Sequence, residues 1–267
     1  MKHLIIFTSL FFCFNFANAQ EVKFKKNPNW FPKHARYIAD NDTLNYRILL
    51  PQNFDETKKY PLHLFLHGIG ERGSDNKKQL TYINRVFSNK RNRKKFPAIV
   101  IFPQAPLTDS WSSRILIKSP DNKNYKFNKN STPTKSLSMV MGLMDSLVTL
   151  DHINKKRVYL TGLSNGAMGV FELLNNRPDM FAAATPICGA GDPDWILNYA
   201  KKTALWIVHG SDDRTVHPYY SIRMANAVIQ AGGSPKLTLY NNVKHNSWLN
   251  IFRDPRFLPW IYRHKKK

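Results

Sequence analysis

The sequence has 267 residues, 42% hydrophobic and 13% aromatic, enough to fill a core and unlike a disordered chain. There are 40 Lys and Arg against 18 Asp and Glu, a net charge of +22 at pH 7. Two cysteines exclude both a disulfide framework and a Cys-based zinc finger.

Residues 1–20 read MKHLIIFTSLFFCFNFANAQ. Lys2 supplies a positive start, an apolar run follows, and Ala17-Asn18-Ala19 places small residues where a signal peptidase reads. The pattern predicts a secretory leader over 1–19, cleaved between Ala19 and Gln20, and hence a secreted or periplasmic protein. Residues 20–267 would then be one domain. Cleavage removes Lys2 and Cys13 and no acid, leaving a net charge of +21 and Cys188 alone. Past the leader, no apolar run approaches the roughly 20 residues that span a bilayer. The basic residues bunch at 90–95 and 264–267. No RNA-binding aromatic motif, helix-turn-helix pattern or zinc spacing accompanies them, which argues against a nucleic-acid partner. They read as a solvated surface, or as one attracted to acidic glycans or an anionic envelope.

Six short apolar runs predict strands: 62–66 (LHLFL), 98–102 (AIVIF), 158–160 (VYL), 181–187 (FAAATPI), 204–208 (ALWIV) and 236–240 (KLTLY). Most lack strict alternation, as strands do when both faces are covered. A further segment, 44–50, is expected to pair at one sheet edge. Between the runs, Leu137, Val140, Met141, Met144, Leu147 and Val148 recur at helical spacing over 136–150, with Ser136 as the expected cap. Another helix is predicted over 221–230, stopped by Gly232 and Gly233. Alternating strands and helices indicate an α/β fold, a mostly parallel, doubly wound sheet. The polar stretch 109–135 is long for a loop. It follows the 98–102 strand, so it is expected at the carboxyl edge, where ligands bind.

The sharpest local signal is Gly162-Leu163-Ser164-Asn165-Gly166, a G-x-S-x-G between a predicted strand and a helix expected over 167–174. A turn that tight strains the serine backbone and projects its hydroxyl, and the two glycines leave room for it. Ser164 is therefore the candidate nucleophile. The backbone N–H of Asn165 is expected to face the oxyanion. A serine hydroxyl needs a base, and in an α/β-hydrolase arrangement an acid and then a histidine follow on later loops. After the 204–208 strand comes His209-Gly210-Ser211-Asp212-Asp213-Arg214-Thr215-Val216. Asp213 fits H-G-x-x-D-x-x-V, and Asp212 reads as a turn residue. After the 236–240 strand comes His245, the expected base, with His217 as its rival. His63 and His209, in or at the end of strands, read as structural. A second oxyanion N–H is expected from Ile69, or from Gly68, in His67-Gly68-Ile69-Gly70. Cys188 ends an apolar run and reads as a buried thiol. Trp248 is placed to pack on His245 or to floor a pocket.

The stretches LHGIGERGSDN (66–76), FPAIVIFPQAP (96–106), GLSNGAMG (162–169), PICGAGDP (186–193), HGSDDRTV (209–216) and KHNSW (244–248) together resemble secreted bacterial α/β-hydrolases. That group is described as predicted peptidases or dienelactone-hydrolase-like proteins and is related to feruloyl and acetylxylan esterases. The resemblance spans nearly all of the chain after the leader. It departs at Asn165-Gly166-Ala167, where members often carry Met-Gly-Gly, and at Val216-His217, where Val-Pro is commoner. It implies the α/β-hydrolase fold, a Ser164–Asp213–His245 triad, no metal and no organic cofactor. By the same analogy Gln104 and Trp111 would touch substrate. The implied activity is hydrolysis of acyl, acetyl or aromatic esters, on plant polysaccharides or small molecules. The alternatives are a peptidase on the same triad and an inactive glycan-binding hydrolase fold.

Overall fold

The computed structural model describes residues 33–39, 41–118, 123–127 and 132–266. The leader expected over 1–19 and its cysteine lie outside them. In chain order the first elements are β1 (Lys33–Ala39), β2 (Asp42–Leu49), β3 (Tyr60–Leu66), α1 (Asn84–Ser88), α2 (Lys90–Lys95) and β4 (Ile99–Gln104). A short hairpin, β5 (Ile115–Lys118) and β6 (Lys123–Lys126), precedes α3 (Lys135–Leu147), β7 (Ile153–Leu163) and α4 (Asn165–Asn176). Then come β8 (Ala183–Ile187), β9 (Ala204–Gly210), α5 (Tyr219–Gln230), β10 (Lys236–Tyr240), α6 (Trp248–Ile251) and α7 (Phe257–Arg263).

Among the described residues, eight strands form one sheet in the order β1-β2-β4-β3-β7-β8-β9-β10. Pairing is antiparallel at β1–β2 and β2–β4 and parallel from β4 to β10. Successive residues of β3 serve opposite faces. Leu62, Leu64 and Leu66 join a core with Leu137, Met144, Phe171 and Met224 of α3, α4 and α5. Phe65 joins a second core with Phe87, Ile251, Phe257 and Ile261 of α1, α6 and α7. Both faces are therefore apolar, which is why the run LHLFL shows no alternation. This is the α/β-hydrolase arrangement, a mostly parallel sheet wrapped on both sides.

Several expectations shift. The segment expected at the sheet edge is β2, and among the described residues the edge is β1, whose burial alternates along Lys33–Ala39. Strand β7 runs eleven residues rather than three. Helix α3 is capped by Thr134, whose Oγ1 accepts the Leu137 N–H at 3.2 Å, so Ser136 lies inside the helix. The basic run at 90–95 is helix α2, and it is not wholly solvated: Arg93 is buried and donates to the Leu50 carbonyl at 2.8 Å. The stretch 109–135 carries the β5–β6 hairpin. Among the described residues, no helix is long and apolar enough to cross a membrane.

Candidate active site

Strand β7 runs straight into α4, with Ser164 at the corner at φ 53° and ψ −117°. A residue other than glycine is strained there, and the strain aims the side chain away from both elements. The corner closes only because its glycines lack side chains. A Cβ on Gly166 would meet the carbonyl oxygens of Leu66 and His67 at the end of β3, and one on Gly162 would come within 2.6 Å of the Gly166 carbonyl carbon. The Ser164 N–H donates to the Ile187 carbonyl at 2.8 Å, which fixes the corner against β8.

Asp213 and His245 arrive from the loops after β9 and β10. The Ser164 hydroxyl lies 2.9 Å from His245 Nε2, and His245 Nδ1 lies 2.7 Å from Asp213 Oδ2. A carboxylate only accepts, so Nδ1 carries the proton and Nε2 is free to accept from the serine. Asp213 is buried, whereas the His245 side chain is 22% exposed. The other carboxylate oxygen, Oδ1, accepts the N–H groups of Thr215 at 2.8 Å and Val216 at 3.0 Å. Burial opposes ionisation of Asp213. The hydrogen bonds from His209 and His245, the charge of His245 and the Val216 amide outweigh it and hold the carboxyl well below its usual range.

His209 is a residue whose part the sequence did not disclose. It is fully buried in β9, and its Nε2 lies 3.1 Å from Asp213 Oδ2 and 2.9 Å from the Val216 carbonyl. Both are acceptors, so Nε2 is the protonated nitrogen. Nδ1 then accepts from the Ser221 hydroxyl at 2.6 Å. The four-residue spacing to Asp213 was visible in sequence, but the turn that folds one onto the other was not. The rivals lie elsewhere: His217 is exposed and accepts the Tyr219 N–H at 3.2 Å, and exposed Asp212 accepts from its neighbour Ser211 at 2.6 Å.

Ile69 opens a single 3-10 turn, Ile69–Glu71, and Asn165 is the first residue of α4. A first helical N–H has no acceptor within its own helix, so both amides are available to an outside oxygen. The preceding Gly68 is close enough that a Cβ there would lie 3.7 Å from the Ser164 Cβ. The N-terminus of α4 adds its positive end. Trp248 is half-buried with its ring edge-on to His245, centroids 5.5 Å apart.

Two substrate-contact expectations are corrected. Gln104 is buried and fully engaged: it accepts the Asn76 N–H at 2.6 Å and donates to the Glu71 carbonyl at 3.1 Å and Asp75 Oδ1 at 2.8 Å. It braces the loop after β3. Trp111 is fully buried under the nucleophile helix, and its backbone N–H donates to Asn165 Oδ1 at 3.1 Å. Nearby, buried Glu172 accepts the Ser113 N–H at 2.9 Å, so α4 fastens the start of the 109–135 stretch at two points.

Cys188, Asp213 and His245 bring possible ligand atoms within 4.8 Å of one another. The donors do not suit a cation. Burial raises the Cys188 thiol well above its ordinary range and so keeps it protonated, and Nδ1 of His245 is bonded to Asp213. The trio reads as a buried thiol beside a hydrogen-bonded acid and base.

The solved structure of a thermostable esterase superposes with a TM-score of 0.77 at 28% identity, covering 88% of this chain and 63% of that one. The chain thus spans less than two thirds of that esterase. A ferulic acid esterase superposes at 0.62 and 15% identity, covering 87% of this chain and 98% of that one. An acylaminoacyl peptidase from Pyrococcus horikoshii superposes at 0.64 and 14% identity, covering 89% and 42%. These last two show the fold alone. Among curated proteins, no sequence matches this chain. The family model described as Phospholipase/Carboxylesterase matches residues 52–256, and the chain belongs to that family of α/β-hydrolases.

Proposed function

We propose that this protein is an exported serine esterase that works through an acyl-enzyme on Ser164. The observation that carries the reading is the unbroken hydrogen-bonded line from Ser164 Oγ through His245 to buried Asp213. Ser164 Oγ attacks the ester carbonyl carbon as its proton passes to His245 Nε2. The carbonyl oxygen takes the charge and is met by the N–H groups of Ile69 and Asn165. Asp213 stabilises the imidazolium and keeps its tautomer. Collapse breaks the carbon–oxygen bond to the alcohol, which leaves with the proton from Nε2. Water then attacks the acyl group, again giving its proton to His245, and releases the acid with Ser164 restored. No step calls for a metal or an organic cofactor. The substrates are acyl, acetyl or aromatic esters, small or attached to polysaccharide. The leader pattern read over 1–19 supports an extracytoplasmic setting.

A panel of p-nitrophenyl acetate, a feruloyl ester and a peptide p-nitroanilide tests this. The esters are expected to turn over and the amide to lag them by orders of magnitude. A fluorophosphonate should label the wild type, and Ser164→Ala should lose the label and at least about 10⁴-fold in kcat. Faster amide than ester cleavage would make it a peptidase. An unlabelled, inactive wild type would leave a binding protein. A mature chain that does not start at Gln20 would refute the leader.

A further inference from the structure

We propose that the groove beside His245 is the subsite for the leaving alcohol and that it takes a carboxylated sugar, so that the physiological substrate is an ester on an acidic oligosaccharide. This rests on the esterase reading, because that chemistry says which side the alcohol occupies. The imidazolium proton goes to the departing oxygen, so the alcohol sits on the side of His245, and whatever is attached to it extends along the wall that His245 helps to form.

That wall belongs to a groove of about 830 Å³, within the range of small-ligand sites. Its lining has the chemistry of a sugar site. Asn242, Asn246 and Asn250 project carboxamides, each able to donate and accept, which matches neighbouring hydroxyls. The half-buried indole of Trp248 offers an apolar wall for the C–H face of a pyranose, and its position against His245 puts that wall next to the reacting atoms.

The charges give the finer choice. Arg214 and Lys244 both line the groove and are exposed, and among the described residues neither is paired with a carboxylate. Asp212 is the one acid among the described lining residues, and its carboxylate accepts from Ser211 at 2.6 Å. Against that single carboxylate, a guanidinium and an ammonium leave the lining net positive, which favours a ligand that brings its own carboxylates. The net charge, +21 once the leader is removed, extends the attraction beyond the groove to a polyanionic glycan.

The test is product-like inhibition of p-nitrophenyl acetate hydrolysis by unesterified oligogalacturonate and by a xylo-oligosaccharide of equal length. At low salt the acidic ligand is expected to inhibit at least tenfold more strongly. The advantage should shrink in about 0.5 M NaCl, where exposed charges are screened. The double variant Arg214→Gln/Lys244→Gln should weaken the acidic ligand at least tenfold and the neutral one less than twofold. Lys265→Gln/Lys266→Gln removes the same charge far from the groove and should do neither. Equal inhibition by the two ligands, no effect of the groove variant, or an equal loss in the tail variant would each overturn the proposal. If the wild type hydrolyses no ester and takes no fluorophosphonate, the esterase reading fails separately. Calorimetric binding of the same two ligands then decides the subsite on its own.

Discussion

Asp213 divides one carboxylate oxygen between two imidazoles, and that sharing sets how strongly it supports the base. Oδ2 faces Nδ1 of His245 at 2.7 Å and Nε2 of His209 at 3.1 Å. His209 is itself held by Ser221, so its N–H cannot swing away. It is a positioning residue: it touches no substrate and acts through the carboxylate. Removing its N–H takes away one of the bonds that hold the carboxylate against His245. His209→Leu is therefore expected to lower kcat about tenfold, whereas His209→Gln, which keeps an N–H near that point, should restore much of it. A loss that His209→Gln does not restore would show that His209 serves packing alone. Asp213, held low by its partners, stays ionised into acid.

Among the elements, the corner between β7 and α4 has the least tolerance. Gly166 packs against the backbone of β3, where a methyl group would meet the carbonyl oxygens of Leu66 and His67. Backbone in the middle of a sheet cannot step aside as a flexible side chain can. Gly166→Ala is expected to cost at least about 3 kcal/mol of stability and to lower fluorophosphonate labelling of the folded fraction, read by urea unfolding and by label per folded protein. Gly70 is the control, because a Cβ there meets nothing within 4 Å. Gly70→Ala should stay within about 1 kcal/mol of the wild type. The contrast between the two glycines separates a steric requirement from the loss of a glycine as such.

At the scale of the whole molecule, two buried histidines tie stability to pH. His63 sits in β3 between the Tyr262 hydroxyl at 3.2 Å and the Thr161 hydroxyl at 2.9 Å, and burial lowers it to about 3. His67 donates from Nδ1 to the Gly68 carbonyl at 2.6 Å and accepts the Ala105 N–H on Nε2 at 3.1 Å, so a second proton would set donor against donor. Burial first, then the nearby charge of Arg72, lower it to about 4 despite the Gly68 bond. Both folded values lie below the ordinary histidine value of about 6.5, so the unfolded chain takes up protons that the folded one refuses. Their contribution is full above that value, declines as pH falls below it, and is lost by pH 3 to 4. The Tm is expected to drop on the order of 10 °C between pH 7 and pH 4. His63→Gln should flatten that slope even if it lowers the Tm at pH 7, and a Tm that did not change with pH would refute the argument.

Much of this was legible in the chain itself. Apolar runs without alternation specify strands buried on both faces, and G-x-S-x-G between such a run and a helix specifies the corner, because both signals are local. The order of Ser164, Asp213 and His245 along the sequence was legible for the same reason: each follows its own strand. Tertiary structure alone decided what spans long separations. It brought the Trp111 N–H to Asn165 across 54 positions and Gln104 to Asn76 across 28, which turned two expected substrate contacts into braces. It set β1 outside β2, folded His209 onto Asp213, and opened a polar, basic groove beside His245. Periodicity records which face of an element is buried. It does not record which loop comes to lie against that face, since that depends on how the sheet twists and on where each crossover returns.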